Sequence, residues 1–109
     1  MAYAVEAQET AITTATTTDV LAVRAGATDE ARVKPGMMTI RNKGTASNKV
    51  TVLKDVSATG YEISEFTLGA DEEWQNPWDH VFEGTTDKLK LVTSSTSALD
   101  VIVSYIEKT

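Results

Sequence analysis

The chain has no cysteine among its 109 residues, and this absence excludes several kinds of protein at once. Without thiols there is no disulfide framework, no thiol nucleophile and no cysteine-ligated zinc site. A chain of this length can bury a hydrophobic core without such crosslinks, and 41% apolar residues is ordinary for a globular protein. We therefore expect one domain stabilised by packing, and the missing cysteines fit synthesis in a reducing compartment.

Long apolar runs and an excess of basic residues are missing as well. No stretch approaches the ~20 apolar residues of a membrane span. The N-terminal sequence MAYAVEAQET lacks the basic and apolar regions of a secretory signal peptide. The net charge of -6 argues against nucleic acid as the main partner. We therefore expect neither a membrane nor a nucleic acid among the partners.

The charged residues are unevenly distributed along the chain. From Arg24 to Lys54 there are seven Lys or Arg and two acids, whereas from Glu62 to Asp87 there are eight acids and no Lys or Arg. One interpretation is solvated charge on exposed strands and turns. The other is two complementary surfaces, which would favour contact between subunits or docking on a charged partner.

Residues that favour strands are abundant, with 17 threonines and 11 valines, and no segment has the periodicity of an amphipathic helix. Alternating segments are separated by turn signals about every ten residues, as in β-sandwiches. We predict an all-β fold, a jelly-roll-like β-sandwich of about eight short strands in two facing four-stranded sheets, with a flexible N-terminal arm. A barrel is the alternative.

The alternation of apolar and polar residues places the strands. Pro35 and Gly36 are expected to interrupt one ladder or to form a bulge, and Pro77 is expected to bend another. The predicted strands are Asp19–Arg24, Ala31–Val33, Met37–Asn42, Lys49–Val56, Tyr61–Leu68, two short pieces within Trp74–Phe82, Lys88–Thr93 and Leu99–Ile106.

Residues 1–17 are predicted to be an N-terminal arm, and residues 18–109 the sandwich domain. The first ten residues contain only three large apolar side chains, those of Met1, Tyr3 and Val5. Burial of each would contribute about 1.5–3 kcal/mol, whereas ordering ten backbones costs on the order of 10–20 kcal/mol. We therefore expect the arm to be mobile unless it adds a strand to a sheet or lies across a neighbour. Thr10 to Thr17 could form an edge strand.

The stretch from Phe66 to Val92 contains the residues most able to carry chemistry. His80 follows Asp79, but no nucleophile-elbow motif accompanies them, so we expect no catalytic residue and no enzymatic activity. The acidic residues of the same stretch could ligate Ca²⁺, yet they lack the EF-hand pattern, and an acidic surface turn is the simpler interpretation. We expect no cofactor and no metal. The acids concerned are Asp71, Glu72, Glu73, Asp79 and Asp87.

Both tryptophans of the chain, Trp74 and Trp78, lie in this stretch. With Tyr61 they could form an aromatic platform for sugar rings, as in a carbohydrate-binding module. Packing in the core or at a subunit interface is the alternative, because aromatic residues are common in both places.

A series of short pieces follows one another from Thr18 to the C-terminus. The pieces are VLAVRAG, MTIRNKG, TASNKVTVL, LGADEEW and FEGTTDKLKLVTSSTSALDVIVSYIE. In their order they resemble small structural proteins of tailed-bacteriophage virions with a jelly-roll or related β-sandwich fold. The acidic segment from Trp74 to Trp78 departs from the pattern, as do Pro35 and Gly36.

The resemblance implies a non-enzymatic virion protein made in the host cytoplasm, with a capsid decoration (cement) protein favoured over a neck or tail protein. Such a protein bridges major capsid subunits on the capsid surface, often as a homotrimer. We expect its contacts to involve exposed apolar side chains of the arm, the tryptophans and nearby charges. The candidate interface residues are Tyr3, Val5, Arg41, Lys43, Glu72, Glu73, Trp74 and Trp78.

Overall fold

The structure is a computed structural model, and it describes residues 3–21 and 29–109. Every regular element of this part of the chain is a β-strand. The strands are β1 (Tyr3–Ile12), β2 (Thr17–Leu21), β3 (Glu30–Val33), β4 (Met38–Asn42), β5 (Asn48–Val56), β6 (Thr59–Leu68), β7 (Glu73–Gln75), β8 (His80–Glu83), β9 (Asp87–Thr93) and β10 (Leu99–Lys108).

The strands form two antiparallel sheets. In sheet A, β10 pairs with β1 on one side and with β4 and β3 on the other, and these pair in turn with β7 and β8. Because β3 and β4 follow one another along the same edge of β10, they share one strand position, which we call a lane. β7 and β8 share the next. Sheet B has four lanes in the order β2-β9-β5-β6.

The chain passes from one sheet to the other at each connection between lanes, except at the hairpin that joins β5 to β6. Two facing sheets of four lanes connected in this way form a jelly roll. The predicted all-β jelly-roll sandwich is therefore confirmed. The structure has ten strands because two of the eight lanes are interrupted.

Both interruptions occur where the sequence places proline, and one asparagine joins them. Asn76 is 2% exposed. Its side-chain oxygen accepts a hydrogen bond from Met38 N (2.8 Å), and its Nδ2 donates to the carbonyls of Lys34 (3.0 Å) and Trp78 (2.8 Å). The Asn76 amide thus replaces ladder bonds that the interrupted strands cannot make.

A second polar cluster closes one end of the sandwich. The side chain of Asn42 donates to the carbonyl of Leu68 (3.0 Å) and accepts from Ser97 Oγ (2.8 Å), and Asn48 Nδ2 donates to the carbonyl of Ser97 (3.0 Å). Both asparagines are fully buried. A Cβ on Gly44 would collide with the Ser97 side chain, so only glycine fits the turn beside the cluster.

The core lies between the sheets. On β10, Leu99, Val101 and Val103 point inward, whereas Ile102 on the opposite face is 42% exposed. The sequence also favours a β10 that is central or covered on both faces; the strand is central but is covered on one face. The core residues are Ile12, Val20, Leu21, Ala31, Val33, Met38, Ile40, Val50, Val52, Leu68, Phe82, Leu89, Leu91, Leu99, Val101 and Val103.

The N-terminal segment takes the strand alternative that the sequence left open. All ten residues of β1 pair with β10, from Tyr3 opposite Lys108 to Ile12 opposite Leu99. A mobile arm was therefore the wrong expectation for residues 3–12, because the cost of ordering them is offset by a complete ladder. The edge strand that the sequence allowed between Thr10 and Thr17 lies earlier, at Tyr3–Ile12, and β2 begins at Thr17.

The predicted strands from Ala31 onward agree with β3 to β10 within two residues at either end. The first predicted strand corresponds to β2, which starts two residues earlier. Its last part lies outside the described residues, as do the expected Gly26 turn, Thr28 and Met1.

We expect Asn76→Ala to lower the free energy of unfolding by at least about 1–3 kcal/mol, because buried backbone groups lose their partner. Asn76→Asp should also destabilise the protein, since a carboxylate cannot donate to two carbonyls. Urea denaturation followed by tryptophan fluorescence measures both. Gln75→Ala, at the exposed neighbour, is the control. If it lowers the free energy of unfolding as much as Asn76→Ala does, the role given to the Asn76 amide is contradicted.

The hairpin between β5 and β6 turns at Ser57 and Ala58, which have φ values of 48° and 69°. Positive φ at both central residues is the geometry of a type I′ turn, in which residues other than Asn, Asp and Gly are unfavourable at these positions. We expect Ala58→Gly to raise the stability by about 0.5–1 kcal/mol. Ala70→Gly, at negative φ, is the control and should not stabilise. Thermal unfolding of the two variants tests this.

Candidate interaction surface

The outer face of sheet A carries most of the large apolar side chains that remain exposed in the described chain. Tyr3 is 67% exposed, Val5 74% and Ile102 42%. The strand register explains this, because inward Leu99, Val101 and Val103 leave the even-numbered residues of β10 outside, and residues paired across a ladder share a face. Exposed apolar side chains grouped on one sheet face are typical of interaction sites.

One end of this outer face carries apolar side chains between charged residues, and we call it the apolar end. Val5 pairs with Ile106, Ile106 pairs with Arg32, and Arg32 pairs with Val81, so that these side chains form a row across all four lanes. Tyr3 continues the surface beyond Val5. Three members of the row, Ile106, Arg32 and Val81, line a shallow groove together with Tyr3, Glu30, Lys34 and Lys108. The two predicted interface residues of the arm, Tyr3 and Val5, thus lie side by side.

The opposite end of the outer face is charged, and we call it the charged end. Arg41 pairs with Asp100 on one side and with Glu73 on the other. Lys43 Nζ lies 3.1 Å from Asp100 Oδ2. Nearby, Glu72 accepts a hydrogen bond from the Gly69 amide within the β6–β7 turn. Four of the predicted interface residues, Arg41, Lys43, Glu72 and Glu73, are therefore neighbours here.

The structure separates these two groups of predicted residues. Val5 lies opposite Ile106, six positions along β10 from Asp100, which corresponds to about 20 Å at the rise of a strand. The apolar and charged ends are therefore two sites on one face, and a partner that touched both would have to span sheet A.

The basic and acidic segments of the sequence become neighbouring lanes. β3 and β4 pair with β8 and β7, and β5 pairs with β6. Arg32 contacts both oxygens of Asp79 (2.9 and 2.8 Å), and Lys49 Nζ lies 2.9 Å from Glu65. The hydrogen bond and the charge of each cation lower the pKa of its carboxylate partner. Opposite charges thus meet inside one molecule, which favours the interpretation as solvated charge on strands.

The two tryptophans pack within the chain. The ring of Trp74 stacks on Phe66, with centroids 4.3 Å apart and planes at 17°. Trp78 Nε1 donates to Ser64 Oγ at 3.1 Å. Phe66 and Ser64 belong to β6 at the edge of sheet B, so the tryptophans join the open edges of the two sheets. Sequence reasoning missed Phe66 and Ser64, because nothing in their local pattern identifies β6 as the partner.

His80 lies half-buried on β8, with Trp78 on one side (5.3 Å between ring centroids) and Phe82 on the other (6.5 Å). Burial lowers the pKa of His80 below its ordinary value, Lys54 lowers it further, and Asp79 opposes them. The carboxylate of Asp79, its neighbour in sequence, accepts two hydrogen bonds from Arg32.

Within residues 3–21 and 29–109, no group of three or more His, Cys, Asp or Glu is placed to hold a metal ion. The same residues include no helix long and apolar enough to cross a membrane. Tyr61, the third member of the possible sugar platform, lies on β6 and is 57% exposed, while one face of Trp74 is covered by Phe66.

No protein-family model matches the chain, and no curated protein matches it in sequence. Solved structures do match in fold. A chain of the T13 particle of infectious bursal disease virus aligns at a TM-score of 0.59 with 11% identity, and the alignment covers 96% of this chain and 30% of that one. The chain thus spans less than a third of the viral chain.

Two other solved structures align with this chain over nearly the whole of their own length. The protein of Bacillus endospore appendages, described as disulfide-linked pili, aligns at a TM-score of 0.53 with 12% identity, over 100% of this chain and 91% of that one. PirA aligns at 0.52 with 9% identity, over 90% and 92%. At these identities the likeness shows the sandwich fold alone, and a chain without cysteine cannot share the disulfide linkage of the pili.

The depressed pKa of His80 gives a pH dependence with a definite sign. Because the neutral imidazole is favoured in the folded state, this contribution to stability is complete above the ordinary pKa of about 6.5 and is lost as the pH falls below it. We expect the stability of wild type to decline between about pH 7.5 and about pH 5.5 more steeply than that of His80→Gln. Urea denaturation of both proteins at the two pH values tests this. An equal loss of unfolding free energy in wild type and His80→Gln would contradict it.

Proposed function

We propose that the chain is a non-enzymatic structural protein of a phage virion, a capsid decoration protein that bridges neighbouring major capsid subunits. The observation that carries the proposal is the pair of exposed apolar side chains at the apolar end of sheet A, those of Tyr3 and Val5, which are 67% and 74% exposed. Such a surface on an otherwise well-packed sandwich suits protein contact.

The separation of the two ends supports a bridging role. The apolar end can be buried against one subunit, while Arg41 and Lys43 at the charged end reach polar groups about 20 Å away along the strands. A rigid sandwich makes such a two-point contact without a large ordering cost, and repeated copies add their stabilisation over a shell. The resemblance described above supplies the major capsid protein as partner and the capsid surface as location.

A neck or tail protein is the second candidate, because the same face would serve there. Copy number separates the two, since symmetric shells carry a decoration protein many times and a neck or tail only a few. Quantitative mass spectrometry of purified particles should give hundreds of copies; about a dozen or fewer would assign the chain to the neck or tail. The carbohydrate-binding alternative loses support because Trp74 stacks on Phe66 within the chain.

We expect Val5→Ser to weaken binding to particles about tenfold, since a valine buried in an interface contributes on the order of 1.5 kcal/mol or more. Co-sedimentation with particles that lack the protein measures this. Tyr61→Ser removes another exposed apolar side chain, from sheet B, and serves as the matched control. Equal binding by Val5→Ser and wild type would remove the apolar end from the proposed interface.

A further inference from the structure

Three of the four edge lanes of the sandwich are built in ways that prevent another strand from pairing with them. The β2 edge, as far as the structure describes it, has a register shift between Asp19 and Leu21. The β6 edge has a register shift opposite Val52 and Leu53. The edge formed by β7 and β8 consists of pieces of three and four residues separated by Pro77.

The fourth edge, β1, has none of these protections. It is ten residues long, contains no proline or lysine, and pairs with β10 without a register shift. In residues 3–21 and 29–109, no strand lies beside its other edge. A long regular edge of this kind is a template for a further strand.

The hydrogen-bond phase shows which backbone groups this edge presents. Ser104 N donates to Met37 O, so the backbone N–H and C=O of Ser104 point away from β1. Those of its neighbour Val103 therefore point toward β1. Val103 lies opposite Gln8, and the even-numbered residues of β1 therefore bond to β10. The N–H and C=O groups of Val5, Ala7 and Glu9 point to the outer edge.

We propose that this edge pairs with the β1 edge of a second copy of the chain, antiparallel and about a two-fold axis. Such an axis places odd-numbered residues of one copy opposite odd-numbered residues of the other. The outward N–H and C=O groups of both copies are then in hydrogen-bonded positions. Val5, Ala7 and Glu9 of the two copies then exchange about six hydrogen bonds. Sheet A continues through the contact as one sheet of eight lanes, and both outer faces point the same way.

Charge selects the register. An axis at Glu6 or at Glu9 would set two glutamates directly opposite, which is unfavourable. Axes at Ala7 and at Gln8 both avoid this while pairing nine residues of each copy. We assign the axis to Ala7, because that pairing ends before Ile12, beyond which the chain crosses to sheet B. Val5 then lies opposite Glu9, and Tyr3 opposite the small Ala11.

The pairing is tested with purified protein and no capsid, so its outcome is independent of the virion proposal. Sedimentation equilibrium at tens of micromolar and physiological salt should show a dimer. A monomer would overturn the proposal, and so would a trimer, which the resemblance implies. Ala7→Pro should weaken the dimer at least about tenfold while the melting temperature of the monomer changes little, because the Ala7 N–H is outside the β1–β10 ladder.

A charge pair tests the register without depending on proline. Ala7 is exposed, and the proposed axis sets it opposite its own copy. Ala7→Glu and Ala7→Lys should each weaken self-association about two- to fivefold, and mixing them should restore a dimer that contains one chain of each. An axis at Gln8 would instead place Ala7→Lys opposite Glu9 and strengthen its homodimer. That result, or a mixture without heterodimer, would overturn the assignment.

Discussion

The fold depends on the buried side-chain amide of Asn76. Two adjacent lanes of sheet A are interrupted, one near Pro35 and Gly36 and one at Pro77, and an interruption leaves backbone donors and acceptors without ladder partners. Asn76 reaches both lanes, accepting from Met38 and donating to two carbonyls. An asparagine is suited to this because its amide has both a donor and an acceptor, like a peptide group. The interruptions are therefore tolerated near the core.

The second constraint is the pairing of charges within the sheets. Basic and acidic segments that are distant in sequence become adjacent lanes, and cross-strand contacts such as Arg32 with Asp79 leave little unbalanced charge there. This balance explains why a chain with a net charge of -6 can expose an apolar end on the same face.

Much of this architecture could be predicted from local patterns. Alternation and turn signals locate the strands from Ala31 onward because an exposed face and a buried face leave a period of two in the sequence. Prolines reveal the interruptions because they cannot donate to a ladder. Long-range pairing is what the sequence could not show. β1 is ordered by β10 at the far end of the chain, and the role of Asn76 depends on which lanes become neighbours.

The same limit applies to the candidate surface. Tyr3 and Val5 were identifiable as unusual apolar residues in a polar segment, but their neighbours Ile106 and Val81 become visible only when the register aligns four strands. For the tryptophans, the sequence favoured packing over a sugar platform, and the stacking of Trp74 on Phe66 agrees with packing.

The pairing of Tyr3 with Lys108 places the two ends of the sandwich side by side. Any polypeptide that continues from either end leaves the domain at the same point, next to the apolar end. A short linker could therefore join the ends, and new ends could be opened at the Ser57–Ala58 hairpin at a strained turn. The chain is in this sense a ready scaffold for circular permutation, and cargo fused at either end would be displayed at a single position.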